Sequence, residues 1–166
     1  MSAKILYLIS FLFLLISCEK EDQYSDIPEI KYKSFTMAEE TENNFENTIG
    51  RLKFTFTDGD GDIGNDPNAE TANDTTITEV YNTFITRFYK ENNQFVRDTI
   101  ITYIIPYIPY LEGGVYREYL KGEIEIKIYF NDFPYDTLMF DFYIYDRANH
   151  KSNTETTPEI IVSEWI

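Results

Sequence analysis

From Glu123 to Phe130 the chain reads Glu-Ile-Glu-Ile-Lys-Ile-Tyr-Phe, with apolar residues at the even positions and mostly charged ones at the odd. Successive side chains of a strand point to opposite faces, so this pattern puts one face in a core and the other in water. The same period runs through Leu138, Phe140, Phe142 and Ile144, which alternate with Met139, Asp141, Tyr143 and Tyr145. Leu52, Phe54 and Phe56 alternate with Arg51, Lys53 and Thr55 in the same way. Val80 to Lys90 and Phe95 to Ile105 read as two further strands, joined across the polar turn formers Glu91-Asn92-Asn93-Gln94. A first strand around Glu29 to Phe35 and a last around Glu159 to Val162 complete the set. No segment keeps helical spacing.

About seven antiparallel strands, each with one apolar face, predict a single two-sheet β-sandwich whose inner faces bury one another. A parallel sheet would need strands apolar on both faces, which these are not. A closed barrel is the alternative that strand number leaves open. Residues 38–48 and 65–78 read as long polar loops, and no internal repeat or second domain is evident.

The N-terminus opens with Lys4 and an almost wholly apolar run from Ile5 to Ile16, the length of a signal-peptide core and too short to span a bilayer. It ends in Leu15-Ile16-Ser17-Cys18, and Cys18 is the only cysteine. This ending resembles the lipobox of bacterial lipoproteins, which implies cleavage after Ser17 and a lipid anchor on Cys18. The other reading is an ordinary secretory signal with an incidental cysteine. Lys20-Glu21-Asp22 resembles the surface-export signal of Bacteroidetes-type lipoproteins, which implies the outer membrane and its outer face. The expected layout is a signal peptide over 1–17, a lipidated tether over 18–27 and a sandwich domain over 28–166. With its one thiol acylated, the fold has no disulfide to rely on.

The formal charge is −15, and cutting off residues 1–17 removes Lys4 and no acid, taking it to −16. Such a chain is repelled by phosphate backbones, which argues against nucleic-acid binding, and it attracts cations. Fourteen Tyr, 13 Phe and one Trp argue against disorder despite that charge.

Near the C-terminus, Asp146-Arg147-Ala148-Asn149-His150 precedes the last strand. It resembles the closing hairpin of Ig-like domains in bacterial surface proteins, which often read Asp-x-Ala-Gly-Asn. The resemblance implies an Ig-like sandwich, with Asn149 in place of the usual glycine because it tolerates positive φ. It carries no activity with it.

The second alternating strand runs into Asp58-Gly59-Asp60-Gly61-Asp62-Ile63-Gly64. Calcium takes six to eight oxygens, and alternate carboxylates on an extended segment lie too far apart to share one ion. The loop must therefore curl, which Gly59, Gly61 and Gly64 permit. Asp58, Asp60, Asp62 and Asp66 are then the candidate calcium ligands, with Asp146 joining them if its hairpin lies at the same end. The spacing departs from an EF-hand, because Ile63 stands at the glycine position and Ala69 at the closing glutamate. The plainer reading has the aspartates capping turns while Ile63 tucks into the core.

Two further features carry hypotheses. Tyr103, Tyr107 and Tyr110 surround Pro106 and Pro109 on an extended edge that would suit a sugar or protein partner, or simply cover the end of the core. Asp-Thr at Thr75, Thr99 and Thr137 resembles the O-glycosylation sequence of Bacteroidetes exported proteins. No catalytic constellation stands out: His150 is the only histidine, and no glycine-rich phosphate loop opens a helix. The expected function is a non-catalytic binding or structural module with calcium as a structural ion. A carbohydrate-binding component of a surface uptake system and a small hydrolase built on two carboxylates are the alternatives.

Overall fold

The computed structural model describes residues 24–42, 44–64, 82–105, 108–109, 119–130 and 134–162, with only the backbone described across 100–105. Eight strands and no helix occur among the described residues. They are β1 (Glu29–Glu42), β2 (Phe45–Asp58), β3 (Thr83–Glu91), β4 (Gln94–Ile105), β5 (Leu120–Tyr129), β6 (Thr137–Ile144), β7 (Glu155–Thr156) and β8 (Ile160–Ile161). One sheet has the order β1-β2-β5 and the other β4-β3-β6-β7, with β8 also paired to β6. Every pairing is antiparallel. Two antiparallel sheets facing one another make the all-β sandwich that the alternation predicts.

The alternating residues define the core. Leu138, Phe140, Phe142 and Ile144 are fully buried, as are Leu52 and Phe54, and Ile126, Ile128 and Phe130 are nearly so. Rings interlock across the sheets, with Phe54 and Phe142 centroids 5.1 Å apart and Phe35 and Phe140 at 5.7 Å. Gly50 makes room for this packing, because a Cβ there would lie 2.3 Å from Phe35 Cζ and 2.6 Å from Phe130 Cε2.

Residues 38–48 are not a loop. β1 continues to Glu42, which pairs with Phe45 across a two-residue turn in which Asn44 has φ 66°. The polar sequence there reflects strands whose outward faces are charged. On that face Arg51 pairs with Glu40 and Glu125, and Lys127 reaches Glu40 at 2.9 Å and Glu42 at 3.0 Å. The β3–β4 turn has Asn92 at φ 49° and Asn93 at φ 63°, the two left-handed residues that a type I′ hairpin requires.

The count reaches eight because the last strand is broken around Thr157-Pro158-Glu159. Side chains mend the breaks: the Phe140 N–H donates to Thr157 Oγ1 and the Ile144 N–H to Ser152 Oγ, both at 3.0 Å. The two sheets meet along one edge through side chains rather than a ladder. Asn153 accepts from the Ile30 N–H at 2.8 Å and donates to the Ile30 carbonyl at 2.9 Å, and the Tyr32 N–H donates to Glu155 at 2.9 Å. No backbone ladder joins the two sheets among the described residues, which makes the fold a sandwich rather than a closed barrel.

Candidate metal site

β2 ends at Asp58 and β6 stops just before Asp146, which brings both carboxylates to the same end of the sandwich. Between them the acidic loop curls, with Gly61 at φ 71° and Gly64 at φ 96°. Ile63 is fully buried in the core and pins the loop. One carboxylate oxygen from each of Asp58, Asp62 and Asp146 lies within 4.8 Å of the other two. Asp58 is fully buried and Asp146 is 5% exposed.

The hydrogen bonds account for half of the oxygens of the two loop acids. Asp58 Oδ2 accepts from the Asp62 N–H at 2.8 Å, and Asp62 Oδ2 accepts from the Ala148 N–H at 3.0 Å. Oδ1 of Asp58 and Oδ1 of Asp62 are buried with no hydrogen-bond partner. Asp146 uses both of its oxygens on His150, whose N–H donates to Oδ1 at 2.7 Å and whose ring Nδ1 donates to Oδ2 at 2.9 Å. Arg147 ties the two loops together, its N–H donating to Asp62 O at 3.3 Å and its Nη1 to Gly64 O at 3.1 Å.

Electrostatics follow from that geometry. Burial, with the charges of Asp60, Asp62 and Asp146 adding to it, pushes the Asp58 carboxyl up to about 7. Burial and the Asp146 charge raise Asp62 as well, while the Asp146 charge raises His150. Three converging acids, two of them buried and the third half-buried, with two unpartnered oxygens have two ways to become stable: take up protons, or take up a cation.

Of the four ligands expected from sequence, the fold brings Asp58 and Asp62 together. Asp60 is exposed and outside the convergent group, and Asp66 lies outside the described residues. Asp146 takes a place beside the two loop acids and caps its hairpin at the same time. His150 was not singled out as part of this site; the Asp-x-x-x-His spacing across a hairpin turn was the available signal. Asn149 sits at φ 65°, as its place in the hairpin required.

The remaining candidates are placed as follows. Tyr107 and Tyr110 lie outside the described residues, and Tyr103 falls in β4 where only the backbone is described. Thr75 lies outside the described residues, as does Cys18. Thr99 is exposed in β4, and Thr137 is half-buried where it pairs with Ile161. Asp98, which precedes Thr99, is buried in an ion pair with Arg87, whose Nε donates to Asp98 Oδ2 at 2.9 Å.

The fold and the cluster together define an all-β sandwich with a buried carboxylate group at one end. No family model, no characterised protein and no solved structure matches the chain.

Proposed function

We propose that Asp58, Asp62 and Asp146 hold a structural divalent cation, calcium, in a lipid-anchored, non-catalytic sandwich module. The observation that carries this reading is the pair of buried, unpartnered oxygens, Asp58 Oδ1 and Asp62 Oδ1, within a group of three converging carboxylates. An all-oxygen, all-carboxylate donor set suits a hard cation, and a site assembled from two loops suits calcium better than the stricter octahedron of magnesium. Backbone carbonyls and water would fill the rest of the shell. The ion would clasp the β2 loop to the hairpin after β6 and stiffen that end of the sandwich.

The Leu15–Cys18 run and Lys20-Glu21-Asp22 support anchoring through Cys18 at the outer membrane, with the module facing outward. In this reading the anchor supplies the membrane partner and the acidic domain stands in water. The burial of Asp58 and Asp146 speaks against a hydrolase at this site, because a substrate could not reach the carboxylate pair.

The test is thermal melting in chelator and in 10 mM calcium. With the affinity typical of extracellular modules, the ion would raise Tm by about 3–10 °C. Asp58→Asn and Asp146→Asn should each abolish the rise. An unchanged Tm in the native chain would sink the metal reading.

A further inference from the structure

The acidic cluster has a second neighbour, the segment through which the chain enters the domain. Gly59, next to Asp58, donates its N–H to Ser25 O at 2.7 Å. The approach is so close that a Cβ on Gly59 would lie 2.5 Å from the Tyr24 carbonyl oxygen. Beyond these, the Tyr24 ring packs on Tyr119 with centroids 4.9 Å apart, and Lys121 Nζ donates to the Tyr24 hydroxyl at 3.3 Å. The Tyr24–Ser25 stretch is thus held partly by Gly59, the residue next to the cluster carboxylate of Asp58.

We propose that cation binding at Asp58, Asp62 and Asp146 seats the Tyr24–Ile27 segment on the sandwich. This fixes how the chain enters the domain at Tyr24. The inference rests on the cation reading above. Without the ion, repulsion among the carboxylates works against the approach of Asp58 to Asp146, and Gly59 moves with Asp58. With the ion, Asp58 is drawn towards Asp146, and the Gly59 N–H that grips Ser25 is held in place. Coupling of this kind is reciprocal, so the seated segment must tighten ion binding by the factor with which the ion tightens the seat. The ion site then does more than stiffen a loop end. It holds the entry segment Tyr24–Ile27 against the sandwich.

The test uses the full mature chain in detergent, with calcium binding measured by calorimetry and seating by chymotrypsin cleavage after Tyr24. The fragment beginning at Ser25 is identified by mass. Saturating calcium should slow that cleavage about tenfold, within the usual range of coupling between sites. Gly59→Ala should still bind calcium, more weakly, and should lose the slowing. Tyr24→Ala leaves the acidic loop intact and should weaken calcium binding about fivefold by the same linkage. Calcium that binds without changing the cleavage rate overturns the inference and leaves the cation site standing. Unchanged calcium affinity in Tyr24→Ala also overturns it. Absence of calcium binding in the native chain overturns both readings together.

Discussion

Asp146 accepts two hydrogen bonds from His150, one from the backbone N–H at 2.7 Å and one from ring Nδ1 at 2.9 Å. The carboxylate is fully buried while the imidazole side chain is 43% exposed. One side chain therefore caps the hairpin and also faces the acidic group, so the turn cannot open without disturbing the cluster. The Asp146 charge holds the His150 imidazolium above its ordinary range, which offsets part of the negative charge that the three acids bring together.

The pH dependence of the ion-free protein follows with a definite sign. Asp58 titrates at about 7 in the fold, whereas an unfolded aspartate titrates near about 3.9. The native state thus keeps a proton that the unfolded chain gives up, and stability falls as pH rises across that window. His150 acts in the same direction: its contribution is full below its unfolded value and is lost as pH climbs through the raised folded one. In chelator, Tm should fall from pH 5 to pH 8. Saturating calcium should flatten the slope, and Asp58→Asn should remove most of it. A Tm that rises over this range in chelator contradicts the assignment.

The buried pair of Arg87 and Asp98 gives a second expectation. Both side chains are almost fully enclosed, and the Arg87 guanidinium donates to Asp98 Oδ2 through Nε and Nη2. Removing one partner leaves a buried charge without its counter-ion, which costs about 3–5 kcal/mol. Asp98→Ala should lose that much in urea unfolding. The double change Arg87→Met with Asp98→Leu should recover most of the loss, because a packed apolar pair carries no stranded charge. A loss under 1 kcal/mol in Asp98→Ala would mean that the guanidinium finds water or another acceptor.

How much of this was legible in the sequence depended on the range of the interaction. Leu138, Phe140, Phe142 and Ile144 announced their strand through local alternation, and all four are fully buried. Asn92 and Asn93 announced their turn because asparagine tolerates positive φ, and both adopt it. The stretch 38–48 misled because polarity reads as loop, whereas here it marks strands whose outward faces carry the ladder of Glu40, Arg51 and Lys127. The cluster was half legible. Asp58 and Asp62 are four residues apart, but Asp146 reaches them only through the fold, 84 positions beyond Asp62 in the chain. No local pattern encodes such a meeting.

Gly50 tests the packing of the sheet centre. It is buried in β2, and a Cβ would meet Phe35 and Phe130 at 2.3 and 2.6 Å. Both clashing atoms belong to rings that themselves pack against Phe140. Neither ring can move without disturbing a third. Gly50→Ala should therefore cost about 1–3 kcal/mol as an overpacking change, despite alanine being the better strand residue. Chemical denaturation measures it, and an alanine variant as stable as the native chain would show that the rings repack freely.

Asn153 tests how the sandwich closes. Its carboxamide satisfies both the N–H and the carbonyl of Ile30 on the edge strand β1, doing for one residue what a neighbouring strand would do. Ile30 itself is 2% exposed, so its backbone groups have little access to water as replacement partners. Asn153→Ala should cost about 1–3 kcal/mol from unsatisfied backbone groups, more than an exposed asparagine ordinarily would. Asn153→Asp keeps the acceptor, and while protonated it can still donate through its O–H. Its deficit should therefore be smallest at low pH and grow as the carboxyl ionises, loses the donor and faces the Ile30 carbonyl with a charge. Loss of the bridge also uncovers part of the β1 edge, and edges with free backbone groups recruit other strands. Asn153→Ala should accordingly self-associate more readily at high concentration, as read by light scattering. Equal stability and equal scattering would mean that Glu155, through its bond to the Tyr32 N–H, holds the seam alone.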